Sequence, residues 1–78
     1  MKNVVVFSTP SCPWCVKVKQ YLKANQIQFK DLDVSVNVKA AQDMIRKTGQ
    51  MGVPQIWVDS QAVVGFDKAK LDRLLNIS

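Results

Sequence analysis

Blocks of apolar residues along the chain predict four short strands. Val4–Phe7 is a continuous apolar run, as in a strand covered on both faces, and the polar run STPS ends it. Ile27–Leu32 alternates apolar and polar residues with period two, which predicts a strand with one buried face. Gln55–Val58 and Ala62–Val64 predict two further strands, and only Asp59 and Ser60 separate them, so we expect a hairpin.

Segments with helical spacing lie between and after these strands. The first helix begins at or just after Cys12 and runs to about Asn25; Ser35 or Asn37 caps the second, and Asp67 caps the third. The residues predicted to face inward are Cys15, Val18 and Leu22 in the first helix, Val38, Ala41, Ile45 and Thr48 in the second, and Leu71, Leu74 and Leu75 in the third. The resulting order is β-α-β-α-β-β-α. It predicts an α/β fold in one domain, residues 1–78, whose four-stranded mixed sheet is flanked by three helices.

Composition limits the classes of protein that fit this pattern. The chain has 78 residues and a net charge of +5, but its lysines and arginines are spread along the sequence, so we do not expect nucleic acid as a partner. No apolar run is long enough to cross a membrane. The two cysteines are too close together to restrain a secreted, disulfide-stapled fold, which favours a reducing, cytoplasmic location.

The segment STPSCPWCVKVK places both cysteines where the first strand meets the first helix. Pro13 suits the first helical turn, so Cys12 lies near the helix cap, where unpaired N–H groups and the helix dipole stabilise a thiolate. Cys15, one turn further on, points inward. Such an asymmetric pair suits disulfide exchange, in which one thiolate attacks and the second thiol resolves the mixed disulfide.

Other interpretations of the cysteines are packing and metal binding. Buried free cysteine is common. A zinc site within one chain needs four ligands, and the sequence has no histidine and no third cysteine, so we predict no metal site.

Two further segments are candidates for substrate binding. Pro54 before the third strand is either a tolerated strand opening or a cis-proline, and a cis bond would expose the Val53 backbone to an extended peptide or thiol tripeptide. Gly65 and Asp67 are either a turn and a helix cap or part of an anion site at the helix start, with Phe66 as an exposed apolar contact.

These segments resemble the glutaredoxin family, in its short bacterial form. The resemblance rests on CPWC at Cys12–Cys15, TGQMGVPQIWVD at Thr48–Asp59 and VVGFDKAKL at Val63–Leu71. It extends from Val4 through the last helix and implies a thioredoxin-like fold. It also implies a thiol-disulfide oxidoreductase without a tightly bound cofactor, which we expect to be a monomer.

The resemblance assigns roles to nine residues. Cys12 is the attacking thiol and Cys15 is the resolving thiol, and this dithiol reduces protein disulfides or glutathione mixed disulfides. Glutathione is the co-substrate that recharges the dithiol. The residues expected to contact substrate are Pro13, Trp14, Val53, Pro54, Gly65, Phe66 and Asp67.

The chain departs from the family pattern at two positions. Thr9 stands where many glutathione-using members have lysine, and Phe66 replaces the second of two glycines. The Gly-Phe pair resembles redoxins that are reduced by thioredoxin reductase and serve ribonucleotide reductase, so that electron donor is an alternative. A second alternative is an iron–sulfur cluster shared between two chains, which Pro13 disfavours.

Overall fold

The computed structural model describes residues 3–77. Its elements are β1 (Val4–Ser8), α1 (Pro13–Ala24), β2 (Lys30–Asp33), α2 (Val38–Thr48), β3 (Gln55–Val58), β4 (Gln61–Val64) and α3 (Lys68–Leu75). This order confirms the predicted α/β arrangement. The prediction of one domain over residues 1–78 includes residues 1, 2 and 78, which lie outside the described residues, and it stays a prediction.

The four strands form one mixed sheet in the order β2-β1-β3-β4. β1 runs parallel to β2, whereas β3 is antiparallel to both β1 and β4. The carboxyl end of β1 and the start of β3 therefore meet at one edge of the sheet, since Phe7 pairs with Gln55. This edge brings the segment after β1 and the segment before β3 together.

One face of the sheet is covered by α1 and α3. Val4 and Val6 of β1 pack there with Val18 and Leu22 of α1 and with Leu71 of α3. Burying an aliphatic side chain of this size contributes roughly 1.5–3 kcal/mol, so this cluster holds α1 firmly against the sheet. The inward positions predicted for α1 and for Leu71 are confirmed, and Leu74 and Leu75 pack at the margin of the same cluster.

The opposite face of the sheet is covered by α2. Phe7 packs there with Ala40 and Met44, and its ring lies 4.6 Å from the ring of Trp57. The predicted inward stripe of α2 is partly wrong, because Val38 is 68 % exposed. The helix is rotated so that Ala40 and Met44, four residues apart, face the sheet and flank Phe7.

The second strand starts three residues later than predicted. Gln26 takes a left-handed conformation (φ 59°), and the N–H of Ile27 donates to the carbonyl of Leu22 at 2.9 Å. Residues 27–29 therefore belong to the connection between α1 and β2. Ile27 and Phe29 still pack against the core, which explains the alternation that predicted a strand.

Candidate active site

Cys12 is the N-cap residue of α1. It has extended dihedral angles, its Sγ accepts a hydrogen bond from the N–H of Cys15 at 3.1 Å, and Pro13 occupies the first turn. The polar segment after β1 also turns back, because the N–H of Cys12 donates to the carbonyl of Thr9 at 3.3 Å. The predicted cap position is confirmed, although Cys12 is half-buried. A thiolate here receives an N–H bond and the favourable end of the helix dipole.

Cys15 is fully buried on the inward face of α1, as predicted. Burial raises its pKa to about 11, and its hydrogen bond with Cys12 adds to the rise, whereas a backbone hydrogen bond from Thr9 and the charge of Lys19 oppose it. Both cysteines are free thiols. At neutral pH Cys15 is therefore a protonated thiol one helical turn behind Cys12.

The peptide bond between Val53 and Pro54 is cis, as predicted. The Cys12 thiol lies 3.8 Å from the Val53 carbonyl oxygen, to which it donates. Val53 precedes β3 and takes no part in strand pairing. Its backbone thus lies beside the sulfur and outside the sheet.

A backbone hydrogen bond connects the two predicted binding segments, one at Pro54 and the other at Gly65. The N–H of Gly65 donates to the carbonyl of Pro54 at 2.8 Å, and Gly65 has φ 81°, a conformation that favours glycine. Asp67 then caps α3, since its Oδ1 accepts from the N–H of Lys70 at 3.1 Å. Gly65 and the start of α3 are therefore placed next to the cis-proline.

Aromatic side chains border the site where α1 approaches α3. Trp14 is 57 % exposed, and the Lys17 ammonium lies 4.5 Å from its ring centre. The ring centre of Phe66 lies 6.5 Å from that of Trp14 and 5.4 Å from that of Tyr21, and the Phe66 side chain packs against the core. The expectation that Phe66 is an exposed contact is wrong in this respect, because its half-buried ring lies against Trp14 and Tyr21 of α1.

Gln55 is a positioning residue that the sequence interpretation missed. Its fully buried side chain donates to the carbonyls of Gln50 and Gly52, each at 3.0 Å, and accepts from the Thr48 hydroxyl at 2.9 Å. These bonds tie the segment before Val53 to α2 and β3. The available signal was a glutamine directly after a proline in an otherwise apolar strand.

Pro13 and Trp14 at the site are exposed to solvent. A cavity of about 920 Å³ lies at the other end of β1, where Asn3, Ile27 and Leu75 line it. Residues 3–77 contain no cluster of three or more His, Cys, Asp or Glu side chains that could bind a metal ion. Over the same residues, no helix is long and apolar enough to span a membrane.

The comparisons with known proteins agree with this geometry. The glutaredoxin family model matches residues 4–63. A glutaredoxin-like 8.6 kDa protein of Clostridium pasteurianum is 43 % identical over 72 residues, which cover 92 % of this chain and 96 % of the relative. Glutaredoxin 3 of Escherichia coli K12 is 33 % identical over 67 residues, covering 86 % of this chain and 81 % of the relative.

A solved structure is similar over the full length. A point mutant of the thioredoxin-like protein BC3987 superposes with a TM-score of 0.93 at 35 % identity, and the match covers 100 % of both chains. Fold and site thus define a thioredoxin-like protein with a dithiol at the start of its first helix. The chain belongs to the glutaredoxin family, and its activity is that of a thiol-disulfide oxidoreductase.

Proposed function

We propose that this protein is a dithiol glutaredoxin that reduces protein disulfides and glutathione mixed disulfides and is recharged by glutathione. The observation that carries the proposal is the position of Cys12, whose Sγ caps α1 and lies 3.8 Å from the Val53 carbonyl beside the cis-proline. At this place the Cys12 sulfur can attack a substrate disulfide, or be attacked in a mixed disulfide, while an extended substrate peptide pairs with the Val53 backbone.

The reaction has two exchanges. The Cys12 thiolate attacks a substrate disulfide, forms a mixed disulfide and releases one substrate thiolate, which takes up a proton. Cys15 then attacks Cys12, the Cys12–Cys15 disulfide forms, and the second substrate thiol leaves with a proton. Two electrons pass from the protein dithiol to the substrate, and two glutathione thiols restore the dithiol as glutathione disulfide forms.

The backbone around Pro54 supports glutathione as the thiol. An extended tripeptide has N–H and C=O groups that match the Val53 backbone, and the N–H groups at the start of α3 suit a carboxylate. Pro13 and Trp14 would form the rim on one side of the tripeptide, and Gly65, Phe66 and Asp67 the other. No resident cofactor is needed for this chemistry.

The donor is tested on the oxidised protein. It is incubated with glutathione, or with thioredoxin reductase and NADPH, and free thiols are counted over time; the Cys12→Ser variant is the control for unspecific reduction. We expect glutathione to restore two thiols quickly. Fast recovery with the reductase and slow recovery with glutathione would overturn the choice of donor and leave the dithiol chemistry intact.

A further inference from the structure

Lys19 lies one helical turn beyond Cys15 on the same side of α1. Residues four apart are neighbours on a helix, so Lys19 and Cys15 project from the same side of α1. The Lys19 side chain is 24 % exposed, whereas Lys17 and Lys23 on the same helix are exposed to solvent. Lys19 therefore occupies a sheltered place between the helix and the sheet.

Two residues from the sheet hold Lys19 there. Its ammonium donates to Asp31 Oδ2 at 3.0 Å, and Asp31 Oδ1 accepts from the Ser8 hydroxyl at 2.7 Å. Ser8 is 2 % exposed and ends β1, directly before the segment that leads to Cys12. The chain of contacts from Ser8 through Asp31 thus holds the Lys19 ammonium on the side of α1 that carries Cys15, near enough for its charge to lower the Cys15 pKa.

We propose that Lys19, anchored by Asp31 and Ser8, is a positioning residue that stabilises the thiolate of Cys15 when this cysteine resolves the mixed disulfide. The inference rests on the proposed function and adds a group that the family resemblance does not assign. Three residues of this region act on the pKa of Cys15, namely Cys12 and Thr9 at the N-terminal end of α1 and Lys19 in the following turn. Asp31 of β2 is connected to them by its ion pair with Lys19.

The step that Lys19 assists is balanced in atoms and electrons. The Cys15 sulfur bonds to the Cys12 sulfur, the bond between Cys12 and the substrate sulfur breaks, and the Cys15 proton reaches the departing thiol through solvent. Lys19 remains an ammonium throughout. Its charge lowers the Cys15 pKa and opposes the effect of burial, so it favours the reactive form of a thiol that is otherwise protonated.

The first test measures Cys15 without turnover. In the Cys12→Ser background, the carbon chemical shift of Cys15 Cβ is followed by NMR against pH, which avoids interference from tyrosinate absorbance. Adding Lys19→Met should raise the Cys15 pKa, and Lys19→Arg should restore it. Lys23→Met, which removes a charge from an exposed position of the same helix, should leave it unchanged.

The second test separates the two exchanges in the Cys12-containing protein. Stopped-flow reaction with the uncharged reagent dithiodipyridine releases one thiopyridone when Cys12 attacks and a second when Cys15 resolves. We expect Lys19→Met to slow the second release by roughly three- to tenfold and to affect the first much less, as one lost charge-stabilised contact implies. Lys23→Met should match the parent protein in both phases.

Asp31→Asn tests the anchor. If Asp31 holds Lys19 at Cys15, the Cys15 pKa rises in this variant, by less than in Lys19→Met. A fall of the Cys15 pKa would show that Asp31 acts only through its own negative charge and would overturn the anchoring. An unchanged Cys15 titration and second release in Lys19→Met would overturn the whole inference, whereas failure of the proposed function would appear in the first release.

Discussion

The surroundings of Cys12 and those of Cys15, one helical turn apart, differ in solvent access and in hydrogen bonding. Cys12 is half-buried at a helix end, accepts an N–H bond and lies 3.8 Å from the Val53 carbonyl. Cys15 is fully buried beneath it, and burial raises its pKa to about 11. One short motif therefore yields two thiols of different character, because the helix start supplies N–H groups and the next turn supplies the core.

In the proposed function, this difference assigns attack to the thiol at the helix start and resolution to the thiol in the core. The cap of α1 supplies an N–H hydrogen bond to the Cys12 sulfur, and the packing of α1 on the sheet buries Cys15. The two regions remain coupled, because the Cys15 N–H donates to Cys12 Sγ and the hydrogen bond between the two side chains raises the Cys15 pKa. Replacing each cysteine in turn therefore shows what each contributes.

The largest effect is expected from Cys12→Ser. Serine is a good N-cap residue, so the fold should persist, but the attacking sulfur is lost. Disulfide reduction should fall by roughly three orders of magnitude or more, as for removal of an enzymic nucleophile. The rate is measured as reduction of the disulfides of an insulin-type protein at a fixed concentration of reductant. A Cys12→Ser variant that kept the parental rate would refute the role of Cys12.

Cys15→Ser should affect the reduction of protein disulfides and of glutathione mixed disulfides differently. The Cys12 mixed disulfide with a protein can no longer be resolved from within, so reduction of protein disulfides should stall and the mixed disulfide should accumulate. Reduction of a small glutathione mixed disulfide should continue, since a second glutathione can resolve it. Equal loss for both substrates would contradict the separation of roles, provided that circular dichroism shows a folded variant.

The raised pKa of Cys15 predicts how stability changes with pH. Between its ordinary pKa of 9.0 and about 11, the unfolded chain loses a proton that the folded protein keeps. The free energy of unfolding should therefore fall with rising pH through this window, by at most about 2–3 kcal/mol. Below the window this contribution is fully present, and above it no further loss occurs.

Cys15→Ala is the control for that pH dependence, because the Tyr21 pKa is also raised by its hydrogen bond with Asp72. Denaturant unfolding of both proteins is compared across the window. The difference in unfolding free energy between parent and variant should shrink as the pH rises. A constant difference would show that Cys15 titrates as an ordinary thiol in the folded protein.

A smaller effect is expected from Gln55→Leu. The change removes three hydrogen bonds that hold the segment before Val53, and the exposed carbonyls can turn to water, so the loss of unfolding free energy should be about 1–2 kcal/mol. The rate with a glutathione mixed disulfide should also fall, because the Val53 backbone is less well placed. Gln61→Leu on β4, whose side chain is exposed, should have neither effect.

The sequence predicted the order of elements and the placement of Cys12 at the helix cap and of Cys15 on the buried face, because period, caps and local turns depend on neighbouring residues. It predicted Ile27–Leu32 as a strand, yet residues 27–29 connect α1 to β2, since pairing with β1 begins only where Val5 meets Lys30. The half-buried position of Phe66 and the bonds of Gln55 depend on packing between distant segments. Local pattern can mark such a residue as unusual, as it does Gln55, but it does not identify the partners of the contact.

The most direct test of the central claim compares loading of the two cysteines with glutathione disulfide. Cys12→Ser and Cys15→Ser variants are exposed to it for equal times, and peptide mapping by mass spectrometry locates the attached glutathione. We predict rapid attachment of one glutathione to Cys12 in the Cys15→Ser variant and none to Cys15 in the other within the same time. Equal loading of Cys15 would contradict the assignment of Cys12 as the attacking thiol.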